Sequence, residues 1–182
     1  MNILVLDTET TGLNKEQDEI LQLSMVDGRG YTVFNRYIRP TRKTSWEDAA
    51  AINGITPEMV AEKHTIDHYL PALQKFIDEA DVIVGYNVQF DIKFLEAAGL
   101  RVNCKVVDIM LPFATIFGKW NGFYHNFRWQ KLTTCAEFYG YDWGKDMAHD
   151  SLADCRATLY CYKEMSKRDH LCYDDKGNRI TA

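Results

Sequence analysis

Apolar residues first gather in a short run, Ile3 to Leu6, that meets Asp7 and opens onto a polar turn at Thr10-Thr11-Gly12. That pattern predicts a buried strand followed by a turn. Glu19 to Val26 alternates enough for a second strand, and Tyr31 to Arg39 for a third. The turn residues Asp27-Gly28-Arg29-Gly30 join these two as a hairpin, and Pro40 ends the pairing. From Ser45 the pattern becomes helical: Ala49 to Ile52, a break at Asn53-Gly54, then a second short helix with Thr56 as its cap and Pro57 at its first position. Tyr69 to Ala80 places Leu70, Leu73, Phe76 and Ile77 at helical spacing. Val82 to Val84 is a strand ending at Gly85-Tyr86-Asn87, and the helix Val88 to Ala98 follows it. Val102 to Ile109 predicts a further strand, Lys131 to Tyr139 a helix closed by Gly140, and Ser151 to Lys167 an amphipathic helix carrying Leu152, Cys155, Leu159 and Tyr162.

Hairpin strands first and strand–helix alternation later predict an α/β fold, with one mixed sheet of about five strands flanked by helices and functional groups at the strand ends. The 182 residues amount to one domain. We place it at 1–168, with 169–182 as a loosely ordered C-terminal tail.

Composition narrows the function classes. A hydrophobic fraction of 46% and a charged fraction of 26% exclude wholesale disorder and fibrous architectures. The N-terminal apolar run is too short, and meets acids too soon, for a secretory signal or a membrane span, and no later run approaches membrane length. The five cysteines include no C-x-x-C pair, which argues against a disulfide framework or a zinc ribbon and for a reducing cytoplasm. The net charge of −5 points away from nucleic acid, unless some of the acids hold divalent cations and so become a phosphate-binding site.

Three segments carry candidate chemistry. Asp7 and Glu9, two apart at the end of a strand, project to the same side of the sheet and can converge on one cation; taken alone they are also an ordinary polar strand terminus. In Asn87-Val88-Gln89-Phe90-Asp91, Asn87 is placed to cap a helix, and Asp91 lies one turn in, where it either reaches the same edge or complements the helix dipole. In His149-Asp150-Ser151-Leu152-Ala153-Asp154, the S-x-x-D spacing is also that of a capping box. His149 and Asp154 would stand about 140° apart on a continuous helix, so His149 can face the same site only from the preceding loop.

Taken in order, D-T-E-T-T-G-L from Asp7, N-x-x-F-D ending at Asp91 and H-D-S-L-A-D ending at Asp154 resemble the DEDDh branch of the DEDD exonucleases, on the side of the proofreading epsilon subunits. Asn53-Gly54-Ile55-Thr56 and Lys131 to Gly140 resemble further landmarks of that family, so the likeness covers nearly the whole chain. It implies a ribonuclease H-like domain and hydrolysis of phosphodiester bonds from the 3′ end of single-stranded DNA, with release of nucleoside 5′-monophosphates. It assigns Asp7, Glu9, Asp91 and Asp154 as ligands of two Mg²⁺, with Mn²⁺ as a substitute, and His149 as general base. It places Thr10, Thr11, Gly12 and Leu13 against the terminal nucleotide, with Asn87 and Phe90 also among the substrate contacts. The implied partners are single-stranded DNA or RNA 3′ ends and no membrane, with a polymerase or homodimer partner left open.

Two alternatives stay open at this point: an RNA-trimming enzyme resembling ribonuclease T or oligoribonuclease, and a binding module on the same fold without catalysis. Asp150-Ser151 after His149 and a lengthened aromatic segment before Lys131 depart from the common family pattern. That segment, from Phe113 to Trp143, includes Phe117, Trp120, Phe123, Tyr124, Phe127 and Trp129 among Lys119, Arg128 and Lys131. The mixture suits single-strand stacking, while Phe113, Phe117 and Tyr139 equally suit the core.

Overall fold

The computed structural model describes residues 1–145, 148–174 and 176–178. Strands β1 (Ile3–Thr10), β2 (Ile20–Asp27) and β3 (Thr32–Tyr37) run antiparallel, while β4 (Val82–Gly85) and β5 (Lys105–Asp108) continue the sheet parallel to β1, in the order β3-β2-β1-β4-β5. This is the mixed five-stranded sheet the pattern predicts. The helices are α1 (Glu47–Asn53), α2 (Pro57–Val60), α3 (Leu70–Asp78), α4 (Val88–Ala97), α5 (Met110–Phe117), α6 (Leu132–Tyr139) and α7 (Ser151–Lys167).

Alternation along β1 divides the core. Leu4 and Leu6 face Leu23, Met25 and Ile83 under α3 and α4, whereas Val5 faces Val26, Val82 and Val84 under α5, α6 and α7. Helix α7 lies across β1, β2 and β4. It buries Cys155 there, whose thiol points at the carbonyls of Val5 and Ser24 at 3.8 and 3.4 Å.

Several local expectations are corrected. Strand β1 does not stop at Asp7 but runs through Thr10, because β2 pairs with it along its whole length. Thr56 occupies the N-cap position of α2 without a side-chain cap. Asn87 does not cap α4 either: it sits in the left-handed region at φ 60°, and its N–H donates to Asp108 Oδ1 at 2.9 Å. The cap of α7 is Asp150, whose Oδ1 accepts from Leu152 and Ala153 N–H at 3.1 Å each, so Ser151 and Asp154 form no capping box.

Between α5 and α6 lies a short hairpin the pattern did not show, β6 (Trp120–Asn121) paired with β7 (Asn126–Phe127). Phe113 and Tyr139 are core residues, but Phe117 is 39% exposed. Within 169–178, His170–Cys172 form a 3₁₀ turn, Tyr139 OH meets His170 Nδ1 at 2.8 Å, and Thr115 donates its hydroxyl to the Asp174 carbonyl. Residues 179–182 lie outside the described residues.

Candidate active site

The pairing of β1 with β4 ends at Val5–Val84, while its pairing with β2 continues to Thr10. The last half of β1 therefore projects past the parallel strands, at the crevice where the chain order reverses and α/β sheets take ligands. Asp7 and Glu9 stand there on the face of Val5, towards α7. Thr8 points the other way. With no β4 residue opposite it, its N–H donates to Asp91 Oδ1 at 2.9 Å and its hydroxyl to the same oxygen at 2.6 Å. Asp91 thus fills the place of a β4 carbonyl and fixes the first turn of α4 against β1.

The fourth acid arrives on α7. Asp154 is buried, and its Oδ2 accepts the His149 N–H at 3.2 Å. His149 lies in the turn before the helix, as its spacing to Asp154 required, exposed and in the left-handed region at φ 69°. Ligand atoms of Glu9, His149 and Asp154 all lie within 4.8 Å of one another.

Burial and mutual repulsion dominate the electrostatics. Burial, then the charges of Asp91, Asp154 and Glu9, hold the Asp7 carboxyl well above its usual range. Burial and Asp154 push Glu9 up to about 8, against a hydrogen bond from Asn53 that lowers it. Burial raises Asp91 to about 7 despite the bonds from Thr8, and Asp154 to about 6 despite the His149 amide. Among the described residues, no group hydrogen-bonds the buried Asp154 Oδ1. A buried carboxylate oxygen without a partner is costly, and a hard cation is the partner this oxygen-only set suits. The residues present therefore fit a divalent metal.

Beside the acids opens a groove of about 440 Å³, lined by Glu9, Thr10 to Leu13, Ile52, Asn53 and Phe90 among others. Of the substrate contacts expected from the sequence, the Thr10–Leu13 loop and Phe90 meet here. Asn87 is not among the lining residues. Leu13 and Ile52 are exposed at the rim, a placement open to an apolar base.

The family model described as an exonuclease, RNase T, matches residues 4–162. The chain belongs to this exonuclease family. It is 30% identical over 175 residues to the uncharacterized exonuclease CP81 of Escherichia phage 186, covering 90% of this chain and 88% of that one. It is also 30% identical over 191 residues to DNA polymerase III subunit epsilon of Haemophilus influenzae, covering 95% of this chain and 70% of that one. Among solved structures, exonuclease X in complex with 5′ overhanging duplex DNA shares the fold at TM-score 0.69 and 22% identity, over 92% of this chain and 93% of that one. E. coli exonuclease I in complex with a dA16 oligonucleotide does so at TM-score 0.73 and 19% identity, over 93% of this chain and 42% of that one.

In this exonuclease the acids are held by a surrounding set of polar residues, of which Gln22, Ser24 and Asp18 were not singled out in the sequence. Gln22 and Ser24 pair with Glu9 and Asp7 across the β1–β2 ladder and share their face. Gln22 donates to Asp150 Oδ2 at 3.0 Å and accepts the Ser151 N–H at 3.3 Å, while the hydroxyls of Ser24 and Ser151 meet at 2.7 Å. Together they seat the first turn of α7, and hence Asp154. Asp18 pins the Thr10–Leu13 loop. It accepts from the Asn14 N–H at 2.9 Å and the Thr11 hydroxyl at 3.2 Å, and pairs with Lys43 at 3.1 Å. Asn53 ties α1 to the site by donating to the Thr10 carbonyl at 3.3 Å. Polar residues at alternate positions of the otherwise apolar β2 were the one available signal for Gln22 and Ser24.

Proposed function

We propose that this chain is a metal-dependent 3′→5′ exonuclease of single-stranded DNA, hydrolysing one phosphodiester bond at a time and releasing nucleoside 5′-monophosphates. The observation that carries the reading is the unpartnered Oδ1 of Asp154 within a cluster of four acids that burial and mutual repulsion hold in want of positive charge. Asp7, Glu9, Asp91 and Asp154 would hold two Mg²⁺, or Mn²⁺ in their place, as hard ions favour carboxylate oxygen. Bound there, such ions supply the positive charge that offsets the phosphate and make a nearby water more acidic.

The remaining work falls to the chain itself. The Thr10–Leu13 loop and Phe90 take the terminal nucleotide in the groove, with Leu13 and Ile52 against its base. His149, on its turn at the mouth of the site, accepts a proton from the attacking water while the water oxygen bonds to phosphorus. The bond from phosphorus to the 3′-oxygen of the preceding nucleotide breaks, and that oxygen leaves protonated by solvent. Asp154, bonded to the His149 amide, sets the position of the turn that carries the imidazole. Kinship with DNA polymerase III subunit epsilon supports DNA as the substrate.

The test follows 5′-labelled single-stranded DNA and RNA of one sequence with Mg²⁺, with EDTA and with the His149→Ala variant. The expected result is a DNA ladder shortening from the 3′ end, abolished by EDTA and slowed about 10²–10⁴-fold in the variant. Faster trimming of RNA would overturn the DNA assignment. No cleavage of either strand by folded protein would overturn the mechanism.

A further inference from the structure

From Ile109 to Ala136 the chain contains no Asp or Glu, although the protein as a whole carries −5. Lys119, Arg128 and Lys131 fall within this stretch, and so does the hairpin β6–β7. Three large side chains of the hairpin face solvent: Trp120 is 50%, Phe123 82% and Tyr124 70% exposed. Their order is nevertheless defined. Asn121 Oδ1 accepts the N–H groups of Phe123 and Tyr124 at 3.1 and 3.4 Å, and His125 takes the left-handed conformation at φ 51° that closes the turn. The rings brace one another edge-on, Phe123 against Tyr124 at 4.8 Å and 89°, and Trp120 against Phe127 at 5.1 Å and 77°. In each edge-to-face pair one ring keeps both faces clear of its partner and the other keeps one.

The base of the hairpin is tied to the end of the central sheet. The Tyr86 hydroxyl donates to the carbonyl of Gln130 at 2.9 Å, fixing the return of the hairpin beside the C-terminal end of β4. That end lies on the β4–β5 side of the acids. The groove for the terminal nucleotide is lined by β1 and its loop, by α1 and by Phe90 of α4, and no hairpin residue is among its lining.

We infer that the hairpin β6–β7 is a stacking arm for the part of a single DNA strand that lies 5′ of the nucleotide being removed, with Phe123 and Tyr124 as platforms and Lys119 and Arg128 against the backbone. This rests on the reading of the site as a single-strand DNA exonuclease. Clustered exposed aromatics mark an interaction surface. A cationic, acid-free stretch in an acidic protein selects a polyanion, and stacking on π-faces is how sequence-independent single-strand binders hold their bases.

The experiment measures fluorescence anisotropy of 5′-fluorescein-labelled oligothymidylate of about twenty nucleotides, longer than the site sizes of common single-strand folds. It is done in EDTA, for the wild-type chain and for a variant carrying both Phe123→Ala and Tyr124→Ala. The variant is expected to bind about 10–100-fold more weakly, the change that follows when bases lose their stacking partners. With Mg²⁺ its KM for the long strand rises in step while kcat, and the rate on a trinucleotide, stay unchanged. Arg128→Ala lowers the slope of log affinity against log salt by about 0.7. Equal affinity of variant and wild type overturns the proposal. So does tighter hairpin-dependent binding of oligouridylate than of oligothymidylate, or a wild-type dimer in sedimentation that the variant loses while strand affinity is kept. Hairpin-dependent binding by a protein that never shortens the strand would support the arm while removing the exonuclease reading beneath it.

Discussion

Asp154 gives one oxygen to the His149 amide and leaves the other without a partner among the described residues, next to Glu9 and under the repulsion of Asp150. Removing one charge from such a set relieves the others. Asp7→Asn should therefore abolish cleavage yet melt no lower than wild type in EDTA; a variant that unfolds, or stays active, contradicts the role given to Asp7. Gly12 tests the groove. A methyl group there would come within 2.4 Å of the Asp18 carboxylate that pins the loop. Gly12→Ala should raise KM several-fold with little change in kcat, whereas an unchanged KM would separate the loop from substrate binding. At this scale the sequence was most legible where chemistry is local. Asp7 and Glu9 share a side by the period of a strand, and Asp91 and Asp154 sit at helix starts. Asp18 and Gln22 were illegible because their importance depends on remote partners, Lys43 for one and Asp150 and Ser151 for the other.

Helix α7 delivers Asp154, and its first turn is held by side chains of β2. The hydroxyls of Ser24 and Ser151 are fully buried against each other, and the first also donates to Asn35 Oδ1 at 3.1 Å. Ser151→Ala leaves a buried hydroxyl short of a partner and should cost about 1–2 kcal/mol. Combined with Ser24→Ala, the loss should be smaller than the sum of the two, by about 0.5–1 kcal/mol in urea melts; strict additivity would mean the pair does not couple. Element types and order could be read from the periodicity of apolar residues, but helix beginnings could not. Asp150 caps α7 where Ser151 had the better spacing, because Ser151 is drawn into the sheet by Ser24. Asn87 has a capping residue's chemistry but is held in a left-handed turn by Asp108. The hairpin β6–β7 leaves no trace in the pattern because each of its strands is two residues long, too short for any period to show.

For the molecule as a whole, the acid cluster couples folding to protons and, on the proposed function, to metal. Glu9, Asp91 and Asp154 are held at about 8, 7 and 6, whereas the unfolded chain releases these protons near pH 4. Between those limits the folded state binds more protons, so the stability these groups contribute is whole below about pH 4 and is lost as pH rises through their folded values. In EDTA the melting temperature should fall from pH 5 to pH 8, and millimolar Mg²⁺ should restore more of it at the upper end, where fewer protons compete for the oxygens. A flat EDTA profile would mean that the carboxylates titrate normally. The same helix also carries a natural reporter of its own departures. The Cys155 thiol is sealed between α7 and two strands, while Cys104 and Cys172 are partly open to solvent. Alkylating reagents can reach Cys155 only when α7 lifts, so its rate of labelling in the native protein times that opening. Because lifting α7 carries Asp154 away from Glu9, the same clock should slow when Mg²⁺ is added.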